Sequence, residues 1–184
     1  METNHRPAPD RPLNRRQLLA AAAGLAAVAR PGAPGAAPAS LPQPVGPVLL
    51  TLDTGRAGEP GPVRFDRAML EALPQEGFVT TTLWTDGPKH FSGPSLRTVL
   101  DAAGAPHGRA VTLAALNDYR VELAPEMIEP RVPVLATRIN GAPYGVREKG
   151  PLWLVWPFDS HDRFRREEIF ARSVWQLIAI VVAS

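Results

Sequence analysis

The apolar and polar residues of this chain follow two different periods. In "SGPSLRTVLDAAGAP", Leu96, Val99 and Leu100 recur at helical spacing, which predicts a helix that ends before Gly104. Ser95 is its predicted cap, and Ser92 or Pro94 is the alternative start. The segment "RFDRAMLEALPQ" has a similar pattern and predicts a short helix capped by Asp66. From residue 110 onward, the apolar residues alternate or form short continuous runs, which is typical of strands.

About seven segments have strand character, and turn-forming residues separate them. Tight turns, rather than long helices, join neighbouring strands, and Asn117-Asp118-Tyr119 is a predicted hairpin turn. This order predicts an α+β domain with a mixed, mainly antiparallel sheet and short helices, and argues against a doubly wound nucleotide-binding fold. The predicted strands are 48–53, 78–85, AVTLAAL, RVELAP, VPVLATRI, PLWLVWPF and SVWQLIAIVV.

The run "PLWLVWPF" is apolar on both faces of its predicted strand. Leu152, Leu154 and Trp156 would point to one side, and Trp153 and Val155 to the other. A strand of this kind must be covered on both sides. A short cationic turn precedes it, and "HDRFRREEIF" after it predicts a short helix or a loop.

Residues 1–39 have the layout of a secretory signal peptide. Arg15-Arg16 precede an apolar run of 12 residues, and Ala37-Pro38-Ala39 forms a cleavage signal. The paired arginines resemble a twin-arginine signal, although Asn14 departs from it, and an ordinary signal peptide is the alternative. We therefore expect an exported, periplasmic protein with no stable membrane span after cleavage. A proline-rich segment with one strand follows at 40–62, and then a domain at 63–184.

Charge and composition exclude several classes of function. The net charge is +2, but residues 1–39 contain five arginines and two acids, which leaves 15 basic and 16 acidic residues in the rest. A nucleic-acid partner is therefore not expected. The chain has no cysteine, which excludes disulfides, thiolate metal ligands and a cysteine nucleophile. The three histidines after the leader share no motif spacing, so no protein-held metal is predicted.

Three polar features stand next to apolar strands. They are the 117–119 turn, Arg138 with Asn140-Gly141, and Arg147 with Lys149-Gly150. Turns expose backbone N–H groups, and nearby cations favour an anionic ligand such as a phosphate. The alternative is that asparagine and glycine only satisfy turn geometry and that the charges keep the loops solvated.

The order of these segments resembles the molybdopterin-binding domain of the sulfite oxidase family, and in particular its small exported members. The similar pieces are "FSGPSLRTVLDAAG", "NDY", "LATRINGAPY", "GPLWLVWPF" and "WQLIAIVV", which together cover about residues 78–184. The resemblance implies a pterin pocket with the 147–150 turn at its rim. The residues it implies for cofactor binding are Thr81, Thr82, Asn117, Tyr119, Arg138, Arg147, Lys149 and Gly150.

Two departures from the family pattern bear on activity. The family's molybdenum-binding cysteine corresponds to a position near Thr81 or Thr82, and a threonine hydroxyl cannot supply a thiolate. Trp153 stands where the family strand has an arginine, which removes a fixed positive charge. The fold can persist without the family's oxygen-atom transfer.

Three hypotheses follow for the function. The first is a non-catalytic periplasmic module that binds a pterin cofactor, another anionic small molecule or a protein partner. The second is a molybdenum-cofactor-dependent oxidoreductase that holds the metal through the cofactor alone. The third is a structural or sensory interaction domain with an empty pocket.

The cationic turn supports one prediction from the sequence alone. If the pocket binds an anion, replacing both Arg147 and Lys149 with glutamate should weaken binding of that anion, because attraction becomes repulsion. Ligand titration measures the loss, and circular dichroism should show an intact fold because both residues lie on a predicted loop. Unchanged binding in the double variant would exclude the anion site.

Overall fold

The computed structural model describes residues 41–56, 58 and 61–184. The predicted leader at 1–39 lies outside these residues. Within the described residues, ten strands and three short α-helices form a mixed α+β arrangement, as the sequence predicted. The elements are β1 (Val48–Asp53), β2 (Val63–Asp66), α1 (Arg67–Ala72), β3 (Gln75–Thr80), β4 (Lys89–Pro94), α2 (Leu96–Ala102), β5 (Val111–Ala115), β6 (Arg120–Leu123), β7 (Val134–Ala136), β8 (Arg138–Ile139), β9 (Trp153–Val155), α3 (Glu167–Ala171) and β10 (Leu177–Val182).

The largest sheet has five strands in the order β2-β1-β10-β5-β6. Only the pair of β1 with β10 in this sheet is parallel, and the other pairs are antiparallel. The predicted hairpin forms here, because β5 and β6 pair with Ala114 opposite Arg120. Three-residue helical turns at Pro125–Met127, Val146–Glu148 and Asp162–Phe164 occupy connecting segments.

Two smaller sheets complete the domain. One has the order β3-β4-β8, and the other is the antiparallel pair β7-β9. The predicted strand VPVLATRI is therefore divided: Val134–Ala136 pairs with β9, whereas Arg138–Ile139 pairs with β4. Between them, the N–H of Thr137 donates to the Ser92 carbonyl at 2.9 Å, so the chain changes partner without leaving a buried amide unpaired.

The strand predicted at 78–85 begins and ends earlier than expected. Strand β3 covers Gln75–Thr80, and a loop follows. The reason is a long-range side chain: the N–H of Thr81 donates to Asp159 Oδ2 at 2.5 Å instead of continuing the ladder. Local propensity favoured a longer strand, and a carboxylate distant in sequence ended it.

Both predicted helix caps are confirmed. Asp66 Oδ1 accepts from the N–H of Met69 at 2.9 Å, and its Oδ2 accepts from the N–H groups of Val45 and Gly46. These bonds lower the pKa of Asp66 below its ordinary value, the bond from Met69 being the main cause. Ser95 Oγ accepts from the N–H of Thr98 at 3.1 Å and begins α2. Gly104, with φ of 72°, follows the helix end.

The segment from Leu152 to Phe158 is the most deeply buried part of the chain, as both of its apolar faces predicted. Strand β9 lies between β7 and the segment that precedes β10, since the N–H of Leu154 donates to the Val174 carbonyl and the N–H of Leu177 to the Leu152 carbonyl. Trp153 is fully buried, and its indole N–H has no oxygen partner. Its ring packs edge-on against Phe91 at 5.4 Å between centroids.

We predict that Trp153→Ala destabilises the protein by about 3–5 kcal/mol, because it removes a fully buried ring and leaves a cavity. Guanidinium unfolding followed by circular dichroism measures the change. Leu83→Ala is the matched control, since Leu83 is 70% exposed and should change the free energy of unfolding by less than about 0.5 kcal/mol. Equal effects of the two substitutions would contradict this account of the core.

Candidate functional site

A pocket of about 230 Å³ opens at one end of the five-stranded sheet. The hairpin turn between β5 and β6 supplies Asn117 and Tyr119, and the loop after β3 supplies Trp84. The third wall comes from the end of α3 and the residues that follow it, which run into β10. The nine lining residues are Trp84, Ala115, Asn117, Tyr119, Phe170, Ala171, Ser173, Val174 and Trp175.

Aromatic rings that meet at steep angles form much of this pocket. The Trp84 ring lies 5.1 Å from Trp175 at an interplanar angle of 64°, and 6.1 Å from Phe170 at 73°. Behind them, Trp153 lies 5.9 Å from Trp84 and 6.3 Å from Trp175. Edge-to-face contacts of this kind stabilise the rings in fixed orientations. The pocket therefore has firm apolar walls.

The polar groups of the pocket are held by the backbone around it. Asn117 Oδ1 accepts from the N–H of Tyr119 at 3.3 Å, and the Tyr119 hydroxyl donates to the Ala171 carbonyl at 2.8 Å. The Ser173 hydroxyl donates to the Ile169 carbonyl at 3.2 Å. The bond from Tyr119 to Ala171 joins the hairpin turn to the end of α3 across the pocket.

Three non-glycine residues around the pocket have left-handed backbone conformations. Asp118 has φ of 65°, Lys149 of 71° and Gln176 of 51°. A hydrogen bond connects two of them, since the N–H of Gln176 donates to the Lys149 carbonyl at 3.0 Å. The Gln176 carbonyl accepts in turn from the N–H of Leu116 at 2.9 Å, next to the hairpin turn. Residues with a Cβ rarely adopt this conformation, and such strain concentrates at functional sites.

A second, more open cavity of about 470 Å³ lies next to the first, and Phe170 lines both. Asp159 organises it by accepting from the N–H and hydroxyl of Thr81 and from Arg165 Nη2. The bond from the Thr81 N–H is the main cause that holds the pKa of Asp159 below its ordinary value of 3.8, and Arg165 adds to it. Through its bonds to Thr81, Asp159 thus fixes the start of the loop that carries Trp84.

The structure does not bring the eight residues of the predicted cofactor site together. Asn117 and Tyr119 line the aromatic pocket, and Lys149 stands beside it with its ammonium 5.5 Å from the Trp175 ring centroid. Thr81 and Thr82 line the second cavity instead.

The remaining three residues of that set are engaged elsewhere or exposed. Arg138 Nη2 pairs with Glu71 Oε2 at 2.9 Å, and its Nη1 donates to the Gly141 carbonyl. Gly150 is buried, and a Cβ there would collide with the carbonyl oxygens of Tyr144 and Gly145, which explains the glycine by packing. Arg147 is exposed on its helical turn.

Sequence reasoning missed the residues that form the pocket walls. From the sequence, Trp84 is predicted in a strand, Phe170 in a charged helix or loop, and Trp175 in the closing strand. Their large apolar rings are the signal that the sequence offers, and no local pattern shows that the three converge.

The residues present do not fit the molybdenum centre of the sulfite oxidase family. The chain offers no thiolate ligand, and at the position implied for the metal the amide and hydroxyl of Thr81 both bond Asp159. Trp153, at the position of the family's arginine, is fully buried among aromatic rings. Uncharged rings stand where the family pattern has a cation.

The comparisons with known proteins support the fold. No family model matches the chain, and no curated protein matches it in sequence. The crystal structure of the sulfane dehydrogenase SoxCD from Paracoccus pantotrophus is similar, with a TM-score of 0.53 and 17% identity. The likeness covers 73% of this chain and 37% of that chain, so this chain spans little more than a third of the solved one. The domain therefore has a sulfite-oxidase-like α+β fold.

Two features are absent from the part of the chain that the structure describes. No helix there is long and apolar enough to cross a membrane. No three histidine, aspartate or glutamate side chains there lie close enough together to hold a metal ion.

We predict that Asp159→Asn destabilises the protein at neutral pH and that the difference from wild type disappears in acid. The folded-state pKa of Asp159 is lowered, so its carboxylate stabilises the fold above its ordinary pKa, and this contribution is lost as pH falls through the lowered value. Urea unfolding of both proteins between neutral pH and about pH 2 tests this. Asp86→Asn, at an exposed carboxylate on the loop between β3 and β4 that Asp159 contacts, is the control, and equal effects of both substitutions would contradict the role of Asp159.

Proposed function

We propose that this protein is an exported, non-catalytic binding module that uses a sulfite-oxidase-like fold to hold a small ligand in the aromatic pocket. One observation carries the proposal. Of the nine described residues that line the pocket, Tyr119 alone has an ionisable side chain, and its hydroxyl already donates to the Ala171 carbonyl. Acid–base and nucleophilic catalysis need a titratable or activated group within reach of the substrate. The pocket is built for contact rather than for proton transfer.

The shape of the pocket supports small-ligand binding in particular. Ligand sites are concave and mostly apolar, with a few polar groups that fix orientation. Here the rings of Trp84, Phe170 and Trp175 supply the apolar walls, and Asn117 stands at the hairpin turn as a polar group. Pockets for drug-sized ligands span about 300–1,000 Å³, so a volume of about 230 Å³ suits a smaller compound.

Export is supported by the leader sequence. Arg15-Arg16, the apolar run after them and the small residues at 37–39 match the parts of a secretory signal, and the paired arginines favour the twin-arginine route to the periplasm. That route carries folded proteins, which suits a domain that binds its ligand before export.

The residues of this chain do not suit an intact molybdenum cofactor. The lack of cysteine leaves the metal without its usual sulfur anchor from the protein, and Arg138, one of the three cationic residues predicted for the site, pairs with Glu71 instead. A pterin without metal and a protein partner are both compatible with a binding module.

The test identifies what is bound to the protein when it is isolated from the periplasm of its native host. We expect no stoichiometric molybdenum by elemental analysis, and a small organic molecule, whether a pterin or another compound, by extraction and mass spectrometry. Trp84→Ala should lose the molecule because it removes a pocket wall, whereas Leu83→Ala, at the exposed neighbour, should retain it. Stoichiometric molybdenum with substrate turnover would overturn the proposal in favour of an oxidoreductase. Protein with no bound molecule in every preparation would favour a structural or sensory domain.

A further inference from the structure

Lys149 is held in a conformation that lysine seldom adopts. Its φ of 71° lies in the left-handed region, and it ends the helical turn Val146–Glu148. The N–H of Lys149 donates to the Val146 carbonyl at 3.2 Å, and its own carbonyl accepts from the N–H of Gln176 at 3.0 Å. Backbone bonds on both sides therefore maintain the strained geometry.

The side chain of Lys149 lies against Trp175, a wall of the aromatic pocket, although Lys149 is not itself one of the lining residues. Its Nζ lies 5.5 Å from the centroid of the Trp175 ring, within the range of a cation–π contact. Trp175 is also a pocket wall, and it packs against Trp84. A positive charge therefore stands on one of the rings that form the pocket.

Asn117 offers the pocket a free donor, whereas the hydroxyls of Tyr119 and Ser173 already donate their hydrogens to backbone carbonyls. Asn117 uses its Oδ1 to accept from the N–H of Tyr119, which leaves its amide NH₂ group to donate. No aspartate or glutamate is among the described residues that line the pocket. Donor groups with a nearby cation favour an anionic group on the ligand, whereas a cationic ligand would call for carboxylates.

The geometry points to a site for a small, flat, mainly apolar compound that carries one carboxylate or similar anionic group. The flat part of the ligand contacts the rings of Trp84, Phe170 and Trp175, and its anionic end pairs with the ammonium of Lys149. The inference rests on the proposed binding function and adds the ligand class. It also assigns to Lys149 the preference of the pocket for an anionic ligand over a neutral one of the same shape.

The test uses three probes of one shape and different charge: phenylacetate, 2-phenylethanol and 2-phenylethylammonium. The indole N–H signals of the chain's four tryptophans, assigned with Trp→Phe variants, report binding by NMR. We expect phenylacetate to shift the signals of Trp84 and Trp175 saturably. Phenylethanol should bind about three- to tenfold more weakly, and the ammonium probe more weakly still.

Two variants remove the charge of Lys149 in different ways. Lys149→Gln keeps a long polar side chain, and Lys149→Gly suits the left-handed backbone and guards against a folding defect. Both should bind phenylacetate and phenylethanol equally. Arg147→Gln is the matched control, because it removes a cation from the same exposed turn, and it should keep the wild-type preference for phenylacetate.

The outcomes separate this inference from the function on which it rests. Equal binding of phenylacetate and phenylethanol to the wild-type protein, or an unchanged preference in both Lys149 variants, would overturn the anionic ligand class while the pocket remains a binding site. Preference for the ammonium probe would overturn it as well. If no probe shifts Trp84 or Trp175 at any accessible concentration, both this inference and small-ligand binding by the pocket are contradicted.

Discussion

The packing of Trp153 among other aromatic rings connects parts of the chain that are far apart in sequence. Its ring contacts Phe91 on β4, Trp84 on the loop after β3 and Trp175 before β10. Since Trp153 is fully buried, this contact supports the centre of the domain and the walls of the pocket at the same time. The walls of the pocket are thus the outer part of the aromatic core, so a substitution that alters the core also alters the pocket.

The same ring determines what kind of chemistry the site supports. The sulfite-oxidase-like fold, shared with the sulfane dehydrogenase SoxCD over 73% of this chain, provides the scaffold. Within it, a fully buried indole occupies the position where the family resemblance places an arginine, and no cysteine is available to bind a metal. A fold can persist without the activity of its family. The residues of the site support the proposed binding function.

Polar contacts at the edge of the core place the groups that the pocket needs. Asp159 holds Thr81 and so directs the loop that carries Trp84, while the bonds between Lys149 and Gln176 hold the segment next to Trp175. The left-handed residues Asp118 and Gln176 adjoin pocket-lining residues in the chain, and Lys149 bonds to Gln176. Such strain persists only where surrounding bonds determine the backbone, so the pocket is defined before any ligand arrives.

The sequence by itself determined the local elements and the fold class. Asp66 and Ser95 predicted the starts of their helices, because a capping side chain bonds a backbone N–H only a few residues away. The alternation on either side of Asn117 predicted the β5-β6 hairpin. It also identified Asn117 and Tyr119 as candidates, since turn residues are visible in one short stretch. Only the tertiary structure decided where β3 ends, that VPVLATRI serves two sheets, and that Trp84, Phe170 and Trp175 meet. These outcomes depend on partners about 20 to 90 residues away, and neither periodicity nor propensity contains that information.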